Sequence, residues 1–116
     1  MPDLPDAQIE LLRLLVATGG STPSLAATEL KVAQSTISNL IRTMSADGLV
    51  QRVSSPTDGR VVVLVASAEA RDLLARYDRA SAAMLRDSLA KLPPVDRRAL
   101  EGALPALRRL LGVLSD

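Results

Sequence analysis

The sequence contains no cysteine, histidine, tryptophan or phenylalanine, and Tyr77 is its only aromatic residue. Each gap removes a class of chemistry. Without cysteine there is no disulfide and no thiol redox sensing, and without cysteine or histidine there is no Cys/His zinc site. Histidine acid–base catalysis and Ser-His or Cys-His nucleophilic machinery are excluded as well. No apolar run approaches the roughly 20 residues of a membrane-spanning helix. The opening MPDLPDAQ is acidic and lacks the basic-then-apolar layout of a signal peptide. These gaps predict a cytoplasmic, soluble domain with no cofactor and no metal, not an enzyme and not membrane-bound.

What is present is aliphatic. Hydrophobic residues make up 47% of the 116 residues, so one domain can bury a core of Leu, Val, Ile and Ala. The formal net charge of +1 neither demands nor excludes a nucleic-acid partner, so local charge must decide.

Residues 5–18 read as a helix, with Pro5 in its first turn, Ile9, Leu12, Leu15 and Val16 at helical spacing, and Gly19-Gly20 as its stop. Thr22-Pro23 is an N-cap followed by proline at the first helical position. The short helix PSLAATEL follows, with Leu25, Ala26 and Leu30 expected inward, and then a brief turn at Lys31-Val32. A further helix spans about Ala33 to Asp47, with Ile37, Leu40, Ile41 and Met44 as its buried stripe and Gly48 at its left-handed end. Its N-cap is poor, because Ala33 has no side-chain acceptor; Ser35 is the nearest substitute.

Residues 49–53 and 61–65 have strand composition, and Ser54, Ser55, Pro56, Asp58 and Gly59 between them are turn formers. They predict an antiparallel hairpin. Ser67 can cap a long helix to about Leu92, with Leu73, Leu74, Tyr77, Met84, Leu85, Leu89 and Leu92 on one broad face; Pro93-Pro94 end it. A last helix covers roughly Val95 to Leu114, and Pro105 inside it should kink it.

Two short helices, a tight turn and a hairpin make a winged helix-turn-helix. The polar face of the second helix carries Gln34, Ser35, Ser38, Asn39 and Arg42, with Thr36 nearer its side. Such donors and acceptors suit base edges and phosphates when a helix enters the major groove. An ordinary solvated face is the simpler account of that helix alone. Yet the face has no Glu and no Lys, the usual choices for mere solubility, and a hairpin bearing Arg52 and Arg60 follows directly. A wing beside a recognition helix can reach the minor groove, whose negative potential arginine exploits. Asp58 can brace Arg60 through a charge-assisted bond. Residues 31–60 hold Lys31, Arg42, Arg52 and Arg60 against Asp47 and Asp58, a local balance of +2.

Residues 25–74 resemble the multiple-antibiotic-resistance repressor (MarR) family. Leu25-Ala26 match the Leu-Ala that opens the first motif helix, Gly48 to Arg52 match Gly-Leu-Val-x-Arg, and Asp58 and Arg60 match the wing's Asp-x-Arg. Ala66, Ser67 and Glu69 loosely match the start of the next helix. Lys31, Ala33 and Ala70 depart from the usual Gly, capping residue and Gly. Residue 5 already lies in what resembles the family's second helix, so the chain is expected to be shortened at its N-terminus. That missing helix normally helps form the dimer and one wall of an effector pocket.

The resemblance implies a mainly α fold with a small β-hairpin wing. Residues 1–66 would form the winged helix-turn-helix DNA-binding lobe and residues 67–116 the C-terminal dimerisation helices, within one compact domain. It implies a homodimer, binding a pseudo-palindromic operator on double-stranded DNA, usually as a repressor, with a small-molecule effector as a further partner. Leu100, Leu104, Leu107, Leu111 and Leu114 on the last helix are the expected dimer contacts. The alternative is a winged-helix protein-interaction module that does not bind DNA. An enzyme is a poor third, because Asp72, Asp78 and Asp87 lie among arginines and read as i to i+4 ion pairs on a wet face.

Overall fold

Helix α1 spans Asp6–Thr18 and ends at Gly19, whose left-handed φ of 78° lets its N–H reach the Leu15 carbonyl. The structure, a computed structural model, describes residues 4–55 and 57–115. Pro56, one of the expected turn formers, and residues 1–3 of the acidic opening lie outside them. The remaining elements are α2 (Pro23–Leu30), α3 (Gln34–Ala46), β1 (Val50–Ser54), β2 (Val62–Ala66), α4 (Ala68–Ala90) and α5 (Pro94–Ser115). The fold is mainly helical with one hairpin, as expected.

The strands sit one residue later than expected at both ends. The antiparallel register runs from Val50 opposite Ala66 to Ser54 opposite Val62. Leu49 instead closes the turn after α3, its N–H bonded to the Met44 carbonyl. The hairpin also gains a short third line of pairing. Ser21 exchanges both backbone bonds with Leu64, at 3.0 and 2.8 Å. Gly20 makes that approach possible. Its φ is +142°, and a Cβ there would lie 2.7 Å from Val63 Cγ1.

The chain divides into two compact units, the first ending at Asp78 and the second beginning at Arg79. The first holds the core. Leu11, Leu12 and Leu15 of α1 meet Ile37, Ile41 and Met44 of α3, with Ala26, Leu64, Ala70 and Leu74 completing it. Leu40, Val16 and Tyr77 pack against this cluster half-buried. Leu25, expected inward, is 58% exposed. It occupies the first turn of α2, where its N–H bonds to the Thr22 hydroxyl, and the inner face belongs to Ala26, Ala27 and Leu30.

Ser67 performs the expected cap on α4. Its Oγ accepts from the Ala70 N–H at 3.0 Å and donates to the Gly48 carbonyl at 2.7 Å, while its own N–H bonds to the Leu49 carbonyl. One buried serine thus joins the end of α3 to the start of α4. Asp78 corrects another expectation. Its partner is not four residues away on α4 but Arg13 on α1, in a two-point bond of 3.2 and 2.5 Å. Asp72 does pair with Arg76 at i,i+4. Asp87 makes no ion pair among the described residues.

In the second unit, α5 continues as a helix through Pro105. None of the described residues from 79 onward is buried. Leu85, Leu89, Leu100, Leu104 and Leu107 line an apolar groove of about 290 Å³ between α4 and α5, with Arg97 and Glu101 at its margin.

Candidate nucleic-acid interface

Helix α3 positions the first group of candidates. Ile37, Ile41 and Met44 anchor one side of it in the core. That leaves Gln34, Ser35, Thr36, Ser38, Asn39 and Arg42 exposed. At about 100° per residue, Ser35, Ser38, Asn39 and Arg42 share the outward sector, with Gln34 at its edge and Thr36 to the side. No carboxylate lies anywhere on α3. Arg42 donates an Nη2 hydrogen to the Asn39 carbonyl oxygen, one turn back along the helix. As the sequence implies, Ala33 provides no side-chain cap, and Ser35 supplies none in its place. The first amide hydrogens of α3 therefore point outward beside Gln34 and Ser35.

The preceding turn adds one cation outside the expected set. Lys31 closes α2 in the left-handed conformation, φ 57°, where a glycine would carry less strain. Its side chain is exposed, and its signal in the sequence is its place in the turn between the two motif helices.

The wing positions the second group. Asp58 Oδ1 accepts from the Arg60 backbone N–H at 3.0 Å and lies 3.5 Å from Arg60 Nε. The aspartate therefore sets both the backbone at the tip and the direction of the guanidinium, as the Asp-x-Arg spacing suggests. Ser55 Oγ accepts from the amides of Thr57 and Asp58, which fixes the other side of the loop. Arg60 keeps 94% of its side chain in solvent. Arg52 is also exposed, on β1 opposite Leu64. Arg52 thus stands in the middle of the ladder, and Arg60 in the loop beyond its tip end.

Away from this surface, the Asp78 hydrogen bond raises the Arg13 pKa, and the Arg13 hydrogen bond holds the Asp78 carboxyl below the usual aspartate range. That pair is structural; both side chains lie in the first unit, each 48% exposed.

The MarR family model matches residues 3–61, more than half of the chain and the whole span from α1 through the wing tip. The chain belongs to the MarR family of transcriptional regulators. Its fold is that of solved MarR-type proteins. YusO from Bacillus subtilis superposes with a TM-score of 0.79 at 19% identity, covering 91% of this chain and 75% of that one. The multiple antibiotic resistance repressor MarR gives 0.77 at 21%, covering 94% and 78%. FabT from Streptococcus pneumoniae, solved in complex with DNA, gives 0.73 at 22%, covering 97% and 78%. No curated protein sequence matches the chain. Three residues of this MarR-family chain depart from the pattern its sequence resembles: Lys31 in the motif turn, Ala33 at the uncapped start of α3 and Ala70 on α4. Among the described residues no cluster of His, Cys, Asp or Glu could hold a metal, and no helix is long and apolar enough to cross a membrane.

Proposed function

We propose that this protein is a homodimeric, non-catalytic regulator of transcription that binds a pseudo-palindromic operator on double-stranded DNA and represses from it. In this reading α3 lies in the major groove with Gln34, Ser35, Thr36, Ser38, Asn39 and Arg42 on bases and phosphates. Arg60, braced by Asp58, enters the neighbouring minor groove, and Arg52 supports the wing or meets a phosphate. The observation that carries the reading is the pairing of a carboxylate-free exposed helix face with a wing whose arginine is held outward by its own aspartate. Family membership supports it, and so does the DNA complex of the S. pneumoniae relative.

The dimer rests on α5. Leu100, Leu104, Leu107, Leu111 and Leu114 follow a four-three spacing, all of them exposed. A helix of 22 residues, with no buried side chain among those described, is far from the polar helix that would be content in water. Pairing these stripes across a two-fold axis can bury the ~1,000 Å² that a specific interface needs. A two-fold dimer on a pseudo-palindromic operator needs its two recognition helices about one DNA turn apart. An effector, on this reading, is small and partly apolar, since metal and thiol sensing lack ligands in this sequence.

Fluorescence anisotropy of labelled duplex, at two salt concentrations, tests the DNA half. Binding should weaken steeply as salt rises. Absence of binding at both would return the chain to a protein-docking role, which the first unit's seven cations against nine carboxylates would suit. Sedimentation equilibrium tests the dimer half. The wild type should run at twice 12.3 kDa, and Leu104→Glu with Leu107→Glu should run as monomer and lose operator affinity with α3 unchanged.

A further inference from the structure

We infer that Arg42 reads a guanine in the major groove and that Asn39 is the positioning residue that holds its guanidinium for that task. The inference rests on the DNA-binding reading above and assigns a base to it.

Arg42 is the only cation on α3, and no acid on that helix competes for it. Its ion-pairing capacity is unspent, since neither Asp47 nor Asp58 bonds to it; its bond is to the neutral Asn39 amide. Direction follows from helix geometry. Helical side chains lean toward the N-terminus, and the bond to residue 39 fixes that lean. The guanidinium is thereby drawn back to the level of Asn39, toward the half of α3 that meets base edges in a helix-turn-helix. A free arginine in mid-helix would instead sweep a wide arc and settle on the nearest phosphate.

The donor pattern selects the base. A guanidinium has two pairs of parallel donors, Nε–H with one Nη2–H and Nη1–H with the other, so one Nη2 hydrogen on Asn39 still leaves one pair whole. Guanine presents two adjacent acceptors, O6 and N7, to the major groove. Adenine presents an acceptor beside a donor, and the pyrimidines offer one group each. A fixed fork of donors matches guanine alone. Asn39 with its carbonyl oxygen committed to Arg42 is correspondingly less suited to the two-point adenine contact that a free asparagine makes. The other groove-facing side chains, Gln34, Ser35, Thr36 and Ser38, are neutral and serve as acceptors as readily as donors.

The test uses the full chain. Duplexes are first selected from a randomised pool by the wild type. The best duplex and its single-base-pair variants are then titrated with wild type, Arg42→Ala, Arg42→Lys and Asn39→Ala. All these side chains are exposed, so unchanged thermal melting serves as the folding control. The wild type should prefer guanine at one position per half-site by about ten- to a hundred-fold. Arg42→Ala should erase that preference and leave the others intact. Arg42→Lys should keep the salt dependence and lose most of the preference, because an ammonium has no fork. Asn39→Ala should relax the preference several-fold without changing the salt slope. If Arg42→Ala weakens every duplex equally and lowers the salt slope by about one, Arg42 is a phosphate contact and the assignment falls. A guanine preference left whole by Asn39→Ala overturns the positioning role. A wild type that selects no duplex at all overturns the DNA reading itself, and this inference with it.

Discussion

Arg60 stands almost wholly in solvent, so it contributes little to folding, and on the proposed reading its energy belongs to binding. Arg86, exposed near the C-terminal end of α4, is its natural control. Arg60→Ala should weaken duplex binding by about ten-fold or more, against little change for Arg86→Ala, while both melt within a degree or so of wild type. Equal affinities for the two variants would remove the wing from the groove. Asp78 gives a second test at this scale. Its pKa is lowered chiefly by the Arg13 hydrogen bond, so the carboxylate form is favoured in the folded state. The stabilisation is then fully present above the unfolded aspartate value of about 3.9 and disappears as pH falls through the lower, folded value. Both side chains are half exposed, so the pair contributes no more than about 1 kcal/mol. Urea melts should show wild type above Asp78→Asn near neutrality, with the gap closing as the pH drops below 4. A gap that widens on acidification would contradict the assigned direction.

At the scale of elements, Ser67 is the joint to break. It satisfies the α4 N-terminus and the Gly48 carbonyl with one hydroxyl. Ser67→Ala should cost about 1–2 kcal/mol in urea denaturation. It should also loosen the end of α3, visible as faster amide exchange at Asp47 and Gly48. This joint was legible in the sequence because a cap is a local signal, as was Thr22-Pro23 at α2 and the Asp-x-Arg wing. The stripe through Ile37, Ile41 and Met44 was legible from period alone. Leu25 was misread for an equally local reason: α2 is barely two turns long, too short for one leucine to define its face. Contacts between distant segments left no trace to read. Arg13 and Asp78 are 65 residues apart, and the bonds between Ser21 and Leu64 depend on how α1 and β2 are brought together. The Asn39–Arg42 pair has i,i+3 spacing, but only the side-chain geometry shows that the bond is made.

For the whole molecule, the cations near the candidate interface are few. Lys31, Arg42, Arg52 and Arg60 are the set in each chain. If every one met a phosphate, the slope of log affinity against log salt would reach only about −7 for a dimer. A measured slope much steeper than that would mean that arginines outside α3, its preceding turn and the wing also touch DNA. A dimer held by α5 should further show a melting temperature that climbs with protein concentration, which a monomer would not. Tyr77 carries a consequence of another kind. It is the sole aromatic ring in the chain, half-buried against the first unit's core. The protein is therefore almost transparent at 280 nm, and its intrinsic ultraviolet emission comes from one phenol. That ring lies on α4, outside α3 and the wing. Its fluorescence consequently acts as a single built-in gauge of whether the core is intact, readable without tryptophan interference and without a dye.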